Sequence, residues 1–189
     1  MFLTILSSIK QKFFFLFLFF YFQRRRNIFN LQDFNLIMSL LQYKKKRNLK
    51  ISKEPSAKIK GLNSPSTKKL IYVIQEHHAS HLHWDLRLEF DNVLKSWAIP
   101  KIPPKEKNVK RLAIQVEDHP IEYAKFHGII PEGNYGAGEV KIWDNGFYKL
   151  IEKNSKKIIF EIHGKKLKGK YCLIKTNYKN KKSWLFFKL

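Results

Sequence analysis

From Leu82 to Phe90 the chain alternates apolar and polar residues without a break. Successive side chains of a strand project to opposite faces, so Leu82, Trp84, Leu86, Leu88 and Phe90 share one face. His83, Asp85, Arg87 and Glu89 share the other. The apolar run at residues 70–74 predicts a preceding strand, and the short stretch between the two suits a hairpin. Such a hairpin brings His77 beside the start of the second strand. Two imidazoles, a carboxylate and a guanidinium then converge on one sheet face, a set suited to a divalent metal holding a phosphate.

The pattern of short strands continues downstream. Residues 93–100 form a third, joined to its predecessor by Asp91-Asn92 as a two-residue turn. The proline- and lysine-rich stretch at 102–110 is a loop. Residues 111–117 alternate again and deliver Asp118-His119-Pro120, and a short helical turn is expected at 121–126. The glycine-dense segment 128–138 has no Lys-Ser/Thr after its glycines and precedes a strand, not a helix, so it is no phosphate-binding loop. Tight turns with positive φ account for it better. Further strands are predicted at 139–144, 147–151, 157–162, 170–176 and 183–188, with Asn145-Gly146 and His163-Gly164 as turns. Many short strands and no convincing amphipathic helix predict a mainly β fold, a barrel or a sandwich.

The N-terminal part is different. Residues 13–22 are consecutively apolar or aromatic, with Lys10 and Lys12 before them and Arg24-Arg25-Arg26 after. Ten residues fall short of the roughly 20 that a spanning helix needs, and arginines stand where a signal peptide has its small-residue cleavage site. Two readings remain for residues 1–37: an interfacial membrane anchor, or upstream sequence read in frame ahead of a true start at Met38. Residues 40–69 are polar and basic, running from Tyr43-Lys44-Lys45-Lys46-Arg47-Asn48 to Glu54-Pro55 and a Ser64-Pro65-Ser66-Thr67 loop. By composition they form a solvated arm able to track a phosphate backbone, or a plain flexible leader. The organisation expected is a leader (1–37), a basic arm (38–69) and a β domain (70–189).

Composition narrows the function classes. At 189 residues and 44% apolar content, the chain can bury one core and no more. Its 37 basic against 15 acidic residues, formally +22, favour a polyanionic partner, nucleic acid first and anionic membrane second. An AT-rich coding bias contributes part of that excess. The single cysteine, Cys172, rules out an internal disulfide and a cysteine-based zinc site, and its apolar neighbours mark it as a small buried hydrophobe.

His77, His83 and Asp85 make a two-histidine, one-carboxylate set. It fills one face of an octahedron and leaves positions for water and substrate oxygens, which suits Mn²⁺ or Fe²⁺. Four histidines between positions 77 and 83, with Asp85 and Arg87 in phase, exceed what a polar surface strand needs. Arg87 lies on the same face, and its planar fork matches phosphate oxygens. His119, Lys101, Arg111 and Tyr123 sit at strand ends near these elements.

The motifs at residues 75–89, 94–101, 111–120 and 131–138, taken in that order, resemble the 3′-phosphoesterase domain of DNA ligase D and its stand-alone relatives. The likeness runs from about Leu40 to the C-terminus. The resemblance implies a compact β-barrel of about eight short strands flanked by one or two short helices. It implies a Mn²⁺-dependent site, other divalent cations being compatible, with ligands at His77, His83 and Asp85. It places active-site positions at Arg87, Lys101, Arg111, His119 and Tyr123, with Gln75 beside the first histidine and Arg47 and Glu54 in the arm. Here Asn48 and Leu49 replace the aspartate and phenylalanine of the family's arm, a change expected to weaken one of two activities, most of all the diesterase step. Those activities remove a 3′-terminal ribonucleoside and then the remaining 3′-phosphate in DNA break repair. The resemblance also favours Met38 as the start. Expected partners are DNA or DNA/RNA 3′ ends, with a separate ligase, a polymerase and the end-binding protein Ku; the expected place is the cytoplasm, at the nucleoid. The rival reading is a non-catalytic nucleic-acid-binding barrel.

Overall fold

The computed structural model describes residues 31–57, 69–176, 178 and 182–189. The apolar run at 13–22 lies outside them. Residues Ser39–Leu189 form one compact unit; of the other, Met1–Met38, only the opening of a helix is described. That helix, α1, spans Leu31–Lys46 and ends on Lys44, Lys45 and Lys46, where cations complement the negative end of the helix dipole. No described helix is long and apolar enough to cross a membrane.

Among the described residues ten strands follow: β1 Leu70–His78, β2 Leu82–Phe90, β3 Val93–Ile99, β4 Arg111–Gln115, β5 His119–Pro120, β6 Gly128–Ile130, β7 Gly138–Lys153, β8 Lys157–Gly164, β9 Lys168–Lys175 and β10 Ser183–Lys188. The antiparallel order β1-β2-β3-β4-β10-β9-β8-β7 returns to β1, so eight strands close a barrel and leave no edge. β5 pairs with β3 and β6 with β7, both outside the ring. A 3-10 turn covers Ile121–Lys125, where a helical turn was expected.

The inward faces obey the period of two. Ile74, Leu86, Leu88, Trp97, Phe160, Ile162, Tyr171, Leu173 and Phe186 meet in one core. Asp91 and Asn92 both have positive φ (50° and 63°), the two-residue hairpin turn read from the sequence. Asn145-Gly146 is not a turn. β7 runs straight through it, with Gly146 opposite both Tyr72 and Gly164. A Cβ at Gly146 would collide with the His163 carbonyl, so this glycine permits close strand approach.

Residues 39–57 are not a solvated arm. Leu40 and Tyr43, one helical turn apart, are buried, as are Ser52, Glu54 and Ala57. The Tyr43 hydroxyl donates to the Pro55 carbonyl (2.7 Å), folding the segment back on α1. Lysines dominate its composition, but they sit on the exposed face.

Candidate active site

The face of β1, β2 and β3 that points away from the barrel core is also buried. Across β1 and β2, His77 stands opposite His83, Gln75 opposite Asp85 and Val73 opposite Arg87; β3 adds Ala98 and Ser96 beside Asp85 and Arg87. A bulge at Trp143 in β7 shifts the register next to Gln75. Arg47, Glu117, His119, Tyr123, Tyr135 and Gly136 close over this face and leave a cleft of about 290 Å³.

At one end of the cleft, His77, His83 and Asp85 each offer a ligand atom, all within 4.8 Å of one another. His77 Nε2 lies 2.9 Å from the Gly136 carbonyl, which can only accept, so Nε2 carries the proton and Nδ1 the lone pair. That Nδ1 is 3.6 Å from Asp85 Oδ2. His83 Nδ1 donates to the His81 carbonyl (2.9 Å), which leaves the Nε2 lone pair facing Asp85 Oδ1 at 3.8 Å. Backbone carbonyls thus set both tautomers and aim both lone pairs at the carboxylate, the usual support for a metal-ligating imidazole. Burial pushes the Asp85 carboxyl upward, but the adjacent Arg87 guanidinium outweighs it and holds the pKa at about 2. The donor set fits a divalent cation preferring nitrogen and oxygen ligands.

Two guanidiniums line the rest. Arg87 donates from Nε to Gln75 Oε1 (2.7 Å), from Nη1 to Ser96 Oγ (2.9 Å) and from Nη2 to Asp85 Oδ2 (3.0 Å). Gln75 is fixed by its own amide, which donates to the Tyr123 and Phe126 carbonyls (3.0 and 2.8 Å). Arg47 donates to Glu54, Glu117 and His119 at 2.8, 2.9 and 3.0 Å. Among the described residues, one Nη2 hydrogen on each guanidinium has no partner, since each nitrogen carries two and uses one. Asp85, Glu54 and Glu117 balance Arg47, Arg87 and Lys46 in sign, so a bound divalent cation makes the site net positive and receptive to phosphate.

His119 sits between the two arginines. Its Nδ1 faces the Glu117 carbonyl at 2.9 Å and Arg87 Nη1 at 3.0 Å, while Nε2 faces Arg47 Nη2. The carbonyl only accepts and Arg47 only donates, so the imidazole is neutral, with its proton on Nδ1. Burial and the flanking guanidiniums keep its pKa well below 6.5. Burial also tends to raise the Glu117 carboxyl, but hydrogen bonds from Lys46 and Arg47 hold it below the ordinary value.

Of the residues nominated from sequence, His77, His83, Asp85, Arg87, His119, Tyr123 and Arg47 line the cleft. Gln75 and Glu54 stand behind it: Glu54 accepts from Arg47, from Ser52 Oγ and from the Tyr123 hydroxyl. Lys101 and Arg111 do not line it; Lys101 is exposed and Arg111 ties its Nε to the Ile102 carbonyl. His78 ends β1 paired with Glu76, and His81 lies in the hairpin turn. Asn48 is exposed, and its Oδ1 accepts from the Lys50 amide within its own turn. Glu117, Ser96, Tyr43 and Tyr135 were not nominated. The one local signal for Glu117 is its place in phase with the alternating strand before it.

The family model for the DNA ligase D 3′-phosphoesterase domain matches residues 75–175. The chain is 45% identical over 152 residues to the multifunctional non-homologous end joining protein LigD of Pseudomonas aeruginosa, covering 78% of this chain and 18% of that protein. It is 44% identical over 142 residues to the multifunctional non-homologous end joining DNA repair protein LigD of Mycobacterium tuberculosis, and 49% over 125 residues to that of Mycolicibacterium smegmatis. The chain therefore spans less than a fifth of the length of these relatives.

Proposed function

The chain belongs to the DNA ligase D 3′-phosphoesterase domain family, and on that premise we propose that it is a metal-dependent phosphoesterase that trims DNA 3′ ends during break repair. It removes a 3′-terminal ribonucleoside to leave a phosphate, then removes that phosphate to leave a hydroxyl. The observation that carries this reading is the pair of imidazole lone pairs aimed with Asp85 into a cleft lined by Arg47 and Arg87.

His77 Nδ1, His83 Nε2 and an Asp85 oxygen would hold Mn²⁺ or another divalent cation, which supplies Lewis acidity toward a phosphoryl oxygen. The free Nη2 hydrogens of Arg87 and Arg47 bind the other phosphoryl oxygens and stabilise charge that develops on them. His119, neutral and accepting from Arg47, holds that guanidinium toward the phosphate. Glu54, Glu117 and Gln75 keep the two guanidiniums in place. Lys101 and Arg111, outside the cleft, meet neighbouring backbone phosphates. The basic surface grips the duplex without regard to sequence. Joining, synthesis and end binding fall to a separate ligase, a polymerase and Ku, at the nucleoid in the cytoplasm.

Incubating the protein with Mn²⁺ and a primer–template ending in one ribonucleotide or in a 3′-phosphate tests this. Conversion of both ends, lost in excess EDTA, is the expected outcome. Preserved DNA binding with no conversion of either end leaves the non-catalytic barrel as the reading.

A further inference from the structure

Tyr135 has no part in the chemistry above, yet it lines the cleft with about half of its surface (49%) exposed. The neighbouring Gly136 carbonyl fixes the metal-facing tautomer of His77, so the ring is one residue away from the metal end of the cleft. Gly133 and Gly136 flank it with φ of +79° and +76°, and Gly138 passes so close to the hairpin that a Cβ there would collide with the His78 carbonyl. These glycines hold the loop in a conformation that L side chains rarely adopt. The ring is also backed by cations: Lys46 Nζ lies 4.5 Å from its centroid and Arg47 Cζ 5.6 Å, and Lys46 donates to its hydroxyl at 3.3 Å. Both cations are themselves anchored to Glu117.

An exposed large aromatic, fixed beside a phosphate site and supported by cations, is a stacking surface for a planar group. Nucleobases are the planar groups a DNA end carries, and each of them presents a π-face. We infer that Tyr135 stacks on the base of the 3′-terminal nucleotide and so sets the terminal phosphate against the two guanidiniums. The inference rests on the activity proposed above and names the part of the substrate that the cleft reads: the presence of a base, not its identity. The terminal base must then unpair or fray to reach the ring, which favours mismatched or damaged ends.

Two measurements test it. In the first, the protein in EDTA binds a primer–template whose 3′-hydroxyl terminal base is 2-aminopurine, with binding followed by anisotropy. Stacking quenches the fluorescence in the wild type and in Tyr135→Phe, and the quench is lost in Tyr135→Ala. An unquenched wild-type complex, no binding, or a quench unchanged by the alanine overturns the inference. In the second, KM and kcat are compared for a 3′-phosphate end with and without its terminal base. The alanine variant should raise KM roughly tenfold on the intact end and not at all on the abasic end. Equal losses on both ends overturn the inference. Failure of the wild type to convert any end sinks the proposed activity, while the fluorescence measurement still decides the stacking.

Discussion

Arg47 places Nη2 3.0 Å from Nε2 of His119, a residue 72 positions further along the chain. With Arg87 on its other side, the imidazole is held neutral between two permanent cations. The unfolded chain takes up a proton below the ordinary histidine pKa that the folded protein refuses. Stability is therefore full above pH 6.5 and falls as the pH drops below it, by up to about 1.4 kcal/mol per pH unit for this group. Thermal unfolding at about pH 7.5 and about pH 5.5 measures the slope. His119→Gln should flatten it by about one proton; an unchanged slope would mean that His119 is protonated in the fold.

His83 is the partly exposed member of the His77, His83 and Asp85 cluster, and its one described hydrogen bond is to a turn carbonyl. His83→Ala should cost less than about 1 kcal/mol of stability in EDTA. With free Mn²⁺ at a hundred times its dissociation constant, the wild type should gain about 2.7 kcal/mol and the variant nothing comparable. Unfolding curves with and without the metal separate lost binding from lost fold, and both end-processing activities should vanish in the variant.

Gln75 joins Arg87 to the 3-10 turn through three hydrogen bonds in a buried setting. Gln75→Leu keeps the size but removes the amide from the Phe126 carbonyl and the acceptor from the Arg87 Nε hydrogen, while the Tyr123 carbonyl keeps the Phe126 backbone amide. A loss of roughly 2–4 kcal/mol is expected in urea unfolding. A loss below about 1 kcal/mol would show that water replaces the amide.

Lys101 lies outside the cleft, so its substitution should act on grip, not on chemistry. Lys101→Ala is expected to raise KM, leave kcat unchanged and lower the slope of binding against salt by about one. A fall in kcat at saturating DNA would instead move Lys101 to the reacting phosphate.

Asn48 bonds within its own turn, a role that aspartate fills equally well. Asn48→Asp should leave the ratio of ribonucleoside removal to phosphate removal within about twofold of the wild type. A selective rise in ribonucleoside removal would restore a direct role for that carboxylate.

The hairpin was legible because its information is local. Period-two alternation and a short turn suffice to set His77 opposite His83 and to put Asp85 and Arg87 on one face. Asn145-Gly146 shows the limit of such local reading. The dipeptide has the composition of a turn, but close packing of β7 against β8 demands a glycine in mid-strand. The basic segment misleads in the same way, since its lysines are exposed while Tyr43, Ser52 and Glu54 are buried.

By itself, then, the sequence determined the basic charge, and it determined the His77, His83 and Asp85 cluster and the strand run, which follow from neighbours within a few residues. Tertiary structure alone decided what covers that triad. Closing β7 onto β1 brings the Gly136 carbonyl to His77, and folding the chain after α1 over β2 sets Arg47 between Glu54, Glu117 and His119. Those partners lie up to 72 residues apart, and no periodicity encodes them. They meet because a polar strand face carrying Asp85 and Arg87 can be buried only where other charged and hydrogen-bonding groups satisfy it.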